Sequence, residues 1–198
     1  YGMESNLDLA SWAISFIFID GKMRGLFSFL FGASALLVIE RAEASGQSAA
    51  RVHYSRMLWL LGFGLAHFYF IWFGDILAGY AMTGLLLYFF RNLSVRALIR
   101  WGIALIIVLS VLMGSGAARM AYLAEATAAS NADAALVEEL DMMRKGFAPP
   151  SAEELREDMA LHQGPWTGLV RDRLVDRGAE PFVSLIFFVW ETLAYMLL

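Results

Sequence analysis

Two ionisable side chains of this sequence lie inside long apolar runs, where a charge is costly. Glu191 lies within the run 182–198, and His67 lies within the run 57–73. Ionisable groups at bilayer depth usually face a bundle interior or a watery cavity, and they often mark functional sites. A histidine oriented by a carboxylate suits general base catalysis, because imidazole exchanges protons near neutral pH. The sequence therefore indicates His67 and Glu191 as catalytic residues.

The spacing of these two residues predicts that they lie at similar depth. His67 comes seven residues before Gly74, and Glu191 comes nine residues after Phe182. At the rise of an α-helix, these spacings are about 10 Å and about 13 Å from the same surface. If their helices are neighbours, we expect His67 and Glu191 to pair, which offsets part of the cost of burying each. The alternative is a polar clamp between helices without any turnover.

A second set of charged residues lies near the same ends of the apolar runs. Its members are Asp20, Lys22, Arg24, Asp75 and Arg119. Lys22 and Arg24 are expected to bind an anionic headgroup, carboxylate or phosphate, with Asp75 orienting them. Anchoring at the membrane interface is the alternative, and it is the commoner use of basic residues there. Asp75 is a third catalytic candidate, because its turn is too short for a freely solvated charge.

The composition is that of an integral membrane protein. Of the 198 residues, 59% are hydrophobic and 17% are charged, whereas soluble domains average about 45–50% and about 25%. The absence of cysteine excludes disulfides, thiolate metal sites and a cysteine nucleophile. We find no metal-ligand spacing, no phosphate-binding glycine loop and no basic face for nucleic acid. The sequence therefore predicts neither a metal site nor a nucleic-acid partner, and the bilayer is its first partner.

Apolar runs predict an all-α fold, a polytopic transmembrane helical bundle with a helical extracytoplasmic insertion. A spanning helix needs about 20 apolar residues, and five runs approach that length: 23–39, 57–73, 76–90, 97–118 and 182–198. Residues 7–19 form a shorter run, which we expect to be an interfacial or re-entrant helix. The domains expected are thus 1–118 with four spans, 119–181 outside the membrane, and 182–198 as a fifth span. Because the chain starts without methionine and ends inside an apolar run, we expect a piece of a longer protein with a truncated fifth span.

The distribution of Lys and Arg predicts the orientation of the spans. The connections 41–56 and 91–100 each carry three arginines, whereas the turn at Gly74-Asp75 carries none. Because cytoplasmic loops are enriched in Lys and Arg, the two basic connections are expected to be cytoplasmic. The segment 119–181 is then extracytoplasmic, and Ser151 with Glu154 predicts a capping box within it. Its helices either cover the outer mouth of the bundle or lie on the headgroups.

Pairs of small residues predict where helices approach each other closely. Ser28 and Gly32 form one such pair, and Gly62 and Ala66 form another. Small residues at this spacing let the backbones of membrane helices come together. We therefore expect both pairs to lie at helix–helix contacts.

Several motifs resemble those of the YeiB family of bacterial inner-membrane proteins. Residues 20–32 read DGKMRGLFSFLFG, which is similar to that family's GK-x-x-x-LFSFLFG signature. Residues 64–67 and 74–81 read GLAH and GDILAGYA, which resemble its G-x-x-H…GDIL-x-x-YA pattern. The end of the chain, WETLAYMLL at 190–198, resembles the start of the next signature. The resemblance implies a multi-pass protein of the bacterial inner membrane whose first span and C-terminal half are missing from these 198 residues.

The helical pattern of that family is similar to that of the transmembrane acyltransferases. The resemblance implies that His67 is a base that deprotonates an acceptor hydroxyl or amine in the envelope. It also implies an acyl donor such as acyl-CoA, which would reach His67 from the cytoplasmic side past Arg56 and Arg100. In this hypothesis Glu191 or Asp75 orients His67, while Lys22 and Arg24 bind the acceptor.

A different class of function fits the same residues. A carrier or flippase for a small anionic solute or lipid would use His67 and Glu191 as a proton relay. The break at Asp20-Gly21 would then form half of a binding site, as interrupted helices do in transporters. A membrane scaffold without turnover is the third interpretation.

Overall fold

The computed structural model describes residues 5–19, 21–128 and 133–198, with the side chains of these residues except 17 and 184–187. All regular structure in those ranges is helical, as the sequence predicts, and no strand occurs there. The helices are α1 (Asn6–Phe18), α2 (Lys22–Ala44), α3 (Ala49–Phe70), α4 (Leu77–Leu87), α5 (Val95–Ala126), α6 (Ala134–Phe147), α7 (Ala152–Gln163), α8 (Trp166–Val175) and α9 (Glu180–Leu197), with a 3-10 turn at Tyr88–Phe90.

The chain divides into two compact units. The first unit comprises Tyr1–Ile106 and Ala179–Leu198, and the second comprises Ile107–Gly178. Within the first unit α4 packs between α3 and α9, and α2 packs against both α3 and α9. The candidate catalytic residues all belong to this first unit.

The start of α2 depends on a glycine with a backbone that other residues rarely adopt. Gly21 has a φ of 76°, in the left-handed region, and it precedes the first residue of α2. Glycine has no Cβ, so it takes this conformation at little steric cost. The apolar run 7–19 therefore ends as the sequence predicts, and α1 and α2 are separate helices. Asp20 lies outside the described residues.

Two helix boundaries differ from the prediction that 41–56 and 91–100 are loops. Helix α2 continues to Ala44 and α3 begins at Ala49, where Ser48 Oγ accepts the N–H of Arg51. Helix α5 likewise begins at Val95. Each apolar run marks only the hydrophobic part of its helix. The helix continues through polar residues as far as its capping residue.

Helices α2 and α9 run side by side in the same direction. Arg24 contacts Glu191, and a Cβ on Gly32 would overlap the backbone of Met196. Ser28 and Gly32 are both buried, so the first predicted pair of small residues lies at a helix contact. The core beside it consists of Ala35, Tyr80, Leu87, Leu193, Met196 and Leu197.

The prediction that the second pair of small residues, Gly62 and Ala66, lies at a helix–helix contact is wrong. Both residues are exposed, and a Cβ on Gly62 would meet nothing within 4 Å. Gly64 makes the close approach instead, because a Cβ there would overlap the backbone at Ala78. Gly64 comes two residues after Gly62, and residues two apart on a helix lie on different faces.

Two helices of the described part are long and apolar enough to cross a membrane. They are Lys22–Ala44, with a mean hydropathy of 1.5, and Val95–Ala126, with a mean hydropathy of 2.2. Leu77–Phe90 is apolar but shorter than a span. Helix α3 begins eight residues before the predicted span 57–73 and includes Arg51 and Arg56, which lowers its average apolar character.

The second unit contains the helices predicted for the segment 119–181. Its α7 begins with the predicted capping box, in which Ser151 Oγ accepts the N–H of Glu154 and Glu154 Oε2 accepts the N–H of Ser151. Helix α5 runs past the predicted end of its span at 118 to Ala126. Within this unit Arg119 Nε and Nη2 donate to the carboxylate of Glu139 at 2.9 and 2.6 Å.

Candidate active site

The imidazole of His67 meets the carboxylate of Asp75 at the turn between α3 and α4. His67 Nδ1 lies 2.9 Å from Asp75 Oδ1. His67 belongs to the last turn of α3, and Asp75 lies two residues before α4 begins at Leu77. The turn reverses the chain, so two residues eight positions apart in sequence face each other.

Both carboxylate oxygens of Asp75 take part in hydrogen bonds. Oδ2 accepts a hydrogen bond of 2.8 Å from the backbone N–H of Ala78, and only 1% of the Asp75 side chain is exposed. The bond to Ala78 satisfies one of the free N–H groups in the first turn of α4. The hydrogen bond to α4 holds the carboxylate in place, so that it can keep the imidazole of His67 in one orientation.

The hydrogen bond also assigns the tautomer of His67. An ionised carboxylate only accepts hydrogen bonds, so the proton between the two groups is carried by Nδ1. In a neutral imidazole Nε2 then keeps its lone pair. Nε2 makes no hydrogen bond to the residues that the structure describes, and 32% of the His67 side chain is exposed. The arrangement can accept a proton from a group bound beside His67.

Trp72 supports the imidazole within the same turn. Its ring lies edge-on to that of His67, with 6.3 Å between centroids. The carbonyl of His67 accepts the N–H groups of Ile71 and Trp72 at 2.9 and 2.8 Å. A Cβ on Gly74 would come within 2.5 Å of the Trp72 ring, so glycine leaves room for that ring. The turn is thus packed around His67.

A cavity of about 110 Å³ borders Asp75. Phe68, Phe73 and Phe188 form much of its wall. Because only 1% of the Asp75 side chain is exposed, little water competes for the hydrogen bonds that it accepts. They support the role of Asp75 as the residue that orients His67.

His67 and Glu191, which we expected to pair if their helices were neighbours, each bind a different residue. Glu191 is bound by Arg24, whose Nη2 donates to both carboxylate oxygens at 2.8 Å. The depth of His67 also differs from the estimate, because α3 ends at Phe70 and not at Gly74. His67 therefore lies three residues, or about 4.5 Å, from the end of its helix. Asp75, not Glu191, is the carboxylate that His67 contacts.

Glu191 and Arg24 belong to a second polar cluster, on α2, α4 and α9. The carbonyl of Arg24 accepts hydrogen bonds from Ser28 Oγ at 2.7 Å and from the Tyr80 hydroxyl at 3.3 Å. Ser28 Oγ and the Tyr80 hydroxyl oxygen are also 2.7 Å apart, and both side chains are fully buried. The guanidinium of Arg24 lies 5.5 Å from the centroid of the Phe188 ring. These contacts fix the backbone and the side chain of Arg24 together.

An open groove of about 690 Å³ lies beside this cluster. Lys22, Arg24, Glu191 and Tyr195 supply its polar groups, and its apolar wall includes Leu26, Phe29 and Phe16. The structure therefore brings Lys22 and Arg24 together, as the sequence predicts. It does not place Asp75 with them, because Asp75 binds His67.

Arg56 and Arg100 are not brought beside His67. Arg56 precedes His67 by eleven residues on α3, a distance of about 16 Å along the helix. Arg100 lies in the second turn of α5, where its Nε donates to the carbonyl of Arg96 at 3.3 Å.

Sequence reasoning missed a buried histidine. His53 is 1% exposed, and its Nε2 lies 2.8 Å from the carbonyl oxygen of Gly84. Its ring stacks on that of Tyr88, with 5.4 Å between centroids. The sequence assigned His53 to a loop, and only the longer α3 brings it against α4. Its contacts are those of a structural residue that joins the two helices.

The structure offers no metal centre in the part of the chain that it describes. No group of three or more His, Cys, Asp or Glu residues lies close enough there to hold an ion.

Comparison with known proteins finds two relatives whose names assign no activity. The chain is 38% identical over 107 residues to "Uncharacterized protein YxaH" of Bacillus subtilis (strain 168), covering 54% of this chain and 27% of that protein. It is 33% identical over 96 residues to "Uncharacterized 39.9 kDa protein in amylase 3'region" of Bacillus acidopullulyticus, covering 48% of this chain and 28% of that protein. The matches thus span little more than a quarter of the length of these curated relatives. No protein-family model and no solved structure matches the chain.

Proposed function

We propose that this chain is part of a polytopic protein of the bacterial inner membrane that transfers an acyl group to an acceptor in the cell envelope. One observation carries the proposal: His67 is held by the buried carboxylate of Asp75 at 2.9 Å. A general base needs a fixed tautomer and a free lone pair. His67 has both at Nε2, and the resemblance of its motif to YeiB proteins adds the acyl-transfer chemistry.

The distribution of apolar side chains supports membrane insertion beyond the two long helices. On α3, Leu58, Trp59 and Phe63 are 58%, 69% and 64% exposed, while His53 on the same helix is 1% exposed. Large exposed apolar faces mark surfaces that lipid or protein covers. In a bilayer, polar groups turn inward and apolar groups face lipid. We therefore retain α3 as a span of the proposed bundle, with α4 packed against it and α9 packed against α4.

The basic residues support the proposed orientation. Arg41, Arg51 and Arg56 lie near the connection of α2 to α3, whereas the turn at Gly74-Asp75 has no Lys or Arg. By the positive-inside rule the first connection is cytoplasmic and the second is external. His67 then lies near the external face, where an envelope acceptor reaches it, and 119–181 is extracytoplasmic.

The proposed reaction conserves atoms and charge without an oxidant. Nε2 of His67 accepts the proton of an acceptor hydroxyl or amine while the acceptor atom forms a bond to the acyl carbonyl carbon. The carbon–sulfur bond of the acyl-CoA donor then breaks, and the sulfur leaves with its electron pair and takes up the proton from His67. Asp75 stays ionised and stabilises the imidazolium between the two steps. The products are an acylated acceptor and free CoA.

In this proposal the arginines bind the donor. Arg56 and Arg100 are exposed cations on α3 and α5, and guanidinium groups bind phosphate oxygens in pairs. They would hold the phosphates of acyl-CoA from the cytoplasmic side while the acyl end approaches His67. Acyl-CoA is thus the donor, and the proposal requires no resident cofactor.

The alternative is a carrier or flippase for a small anionic solute or lipid. The observation that favours it is the Arg24–Glu191 ion pair, which is 38% and 37% exposed and borders an open groove. Paired charges of this kind occur on substrate pathways of transporters. The relay from His67 to Glu191 would have to pass through water, because each residue has a different partner.

Sealed vesicles that contain the full-length protein separate these functions. Acetyl-CoA carrying a labelled acetyl group is supplied on the cytoplasmic side, and label outside is sorted into covalently bound and free forms. Acyl transfer predicts label bound covalently to an envelope lipid or glycan. Free labelled solute outside, without covalent product, would favour the carrier and contradict acyl transfer.

Donor binding gives a second test of the same proposal. Calorimetry on the full-length protein in detergent compares wild type with Arg56→Ala and Arg100→Ala. We expect saturable acyl-CoA binding that weakens in both variants, with Arg171→Ala, on α8, as the matched control that keeps it. Folded wild-type protein that does not bind acyl-CoA would overturn the proposed donor.

A further inference from the structure

Among the residues that the structure describes, those that line the groove beside the Arg24–Glu191 pair carry a net positive charge. Lys22 and Arg24 contribute two cations, and Glu191 contributes one anion. Glu191 is bound by Arg24 through both of its oxygens. Lys22 forms no ion pair with the residues that the structure describes. The groove is therefore suited to a ligand with a single negative charge.

Arg24 still has donors for such a ligand. A guanidinium carries five N–H donors on three nitrogens, and Nη2 alone is engaged with Glu191 among the described residues. Nε and Nη1 are thus free of described partners, and the side chain is 38% exposed. Two adjacent guanidinium nitrogens match two oxygens of a phosphate.

The position of the groove indicates where the anion comes from. Lys22 is the first residue of Lys22–Ala44, one of the two described helices long and apolar enough to cross a membrane. The first residue of a spanning helix lies at the membrane interface, which is also where lipid phosphates lie. Below Lys22 the wall is apolar, with Leu26 and Phe29 exposed by 55% and 44%.

We propose that this groove binds the headgroup of an anionic phospholipid. Lys22 and Arg24 hold the phosphate, and Leu26 and Phe29 contact the upper part of the acyl chains. Glu191 keeps Arg24 in place and limits the site to one negative charge. The proposal depends on membrane insertion but not on catalysis by His67, so the two can fail separately.

Short-chain lipids allow a direct test on the full-length protein in detergent. Dihexanoyl phosphatidylglycerol, dihexanoyl phosphatidylcholine and glycerol 3-phosphate are titrated, and the dissociation constant of each is measured by calorimetry. The expected result is phosphatidylglycerol binding at least about tenfold tighter than phosphatidylcholine, since one charge-assisted interaction is worth about that factor. Glycerol 3-phosphate, which lacks acyl chains, is expected to bind no more tightly than phosphatidylcholine.

Variants locate the site. Lys22→Gln removes an exposed cation and should weaken phosphatidylglycerol binding about tenfold. Lys145→Gln, at the other lysine of the sequence, and His67→Gln should bind as wild type does. The double variant Arg24→Gln with Glu191→Gln, which strands no charge, should also lose the preference for phosphatidylglycerol.

Three results would overturn the proposal. Equal binding of the two lipids would contradict recognition of the charge. Binding of glycerol 3-phosphate as tight as that of phosphatidylglycerol would identify a free phosphate as the ligand. Unchanged phosphatidylglycerol binding in Lys22→Gln would exclude this groove as the site.

Discussion

Asp75 accepts a 2.9 Å hydrogen bond from Nδ1 of His67 while it is almost completely buried. The same carboxylate binds the N–H of Ala78 and so belongs to the start of α4. Because α3 supplies the base and α4 supplies its orienting group, the dyad depends on the turn that joins the two helices. A substitution that leaves this turn intact can therefore test the role of either residue.

Asp75→Asn should lower the rate of acyl transfer by about 100-fold or more, the usual size of a general-base contribution. An amide can still accept the N–H of Ala78, so α4 should form, but it lacks the charge that stabilises the imidazolium. Steady-state kinetics of the full-length protein measure kcat, with Asp141→Asn on the exposed face of α6 as the control. Equal kcat in the Asp75 and Asp141 variants would rule out the orienting role.

Gly32→Ala should lower the free energy of unfolding by about 1–3 kcal/mol, as overpacking usually does. Its new Cβ would overlap the backbone of Met196, which cannot move as an exposed side chain can. Gly62→Ala, with nothing within 4 Å, should be neutral or more stable by up to about 1 kcal/mol. Unfolding titrations of the two variants should therefore move in different directions, and equal shifts would contradict the α2–α9 contact.

Arg24 and Glu191 should show a coupling energy of no more than about 1 kcal/mol, since exposed ion pairs are screened by water. A double-mutant cycle with Arg24→Gln, Glu191→Gln and the double variant measures it from unfolding free energies. We expect Arg24→Gln alone to be the least stable of the three, because it leaves Glu191 without a partner. A coupling energy well above about 1 kcal/mol would contradict an exposed pair that water screens.

The capping box of α7 predicts a pH-dependent helix. The backbone N–H of Ser151, and then its hydroxyl, hold the pKa of Glu154 below the ordinary value of 4.5. A carboxyl with a lowered folded-state pKa stabilises the fold above its unfolded pKa, and that contribution is lost as the pH falls through the folded pKa. NMR titration of the Glu154 carboxyl carbon should report a midpoint below the ordinary value of 4.5. Ser151→Ala should raise the Glu154 midpoint, and an unchanged midpoint would contradict the cap.

The sequence predicts the helices well because their signals are local. Apolar runs, the capping box at Ser151 and the break at Gly21 each depend on neighbours in the chain, and all of them appear in the fold. Helix ends are less visible, because Arg51 and Arg56 read as a loop although Ser48 caps a helix that contains them. Polar residues extend a helix beyond the apolar run that marks it.

The partners of the charged residues could not be predicted in the same way. Similar depth suggested His67 with Glu191, but depth leaves open which faces of two helices meet. Asp75 was visible as a carboxylate in a tight turn, and a turn that joins antiparallel helices brings its residues to the last turn of α3. Arg24 and Glu191 meet only because α2 and α9 run parallel in contact, and that register is a property of the packing.

The rate of CoA release measures whether His67 is the base for acyl transfer. Full-length protein is mixed with acyl-CoA and an envelope extract as acceptor, and free thiol is measured over time for wild type, His67→Gln and His162→Gln. We expect His67→Gln to lose about 100-fold or more of the acceptor-dependent rate, while His162→Gln, on α7, should keep it. Acceptor-dependent release at the wild-type rate in folded His67→Gln protein would show that His67 is not the base.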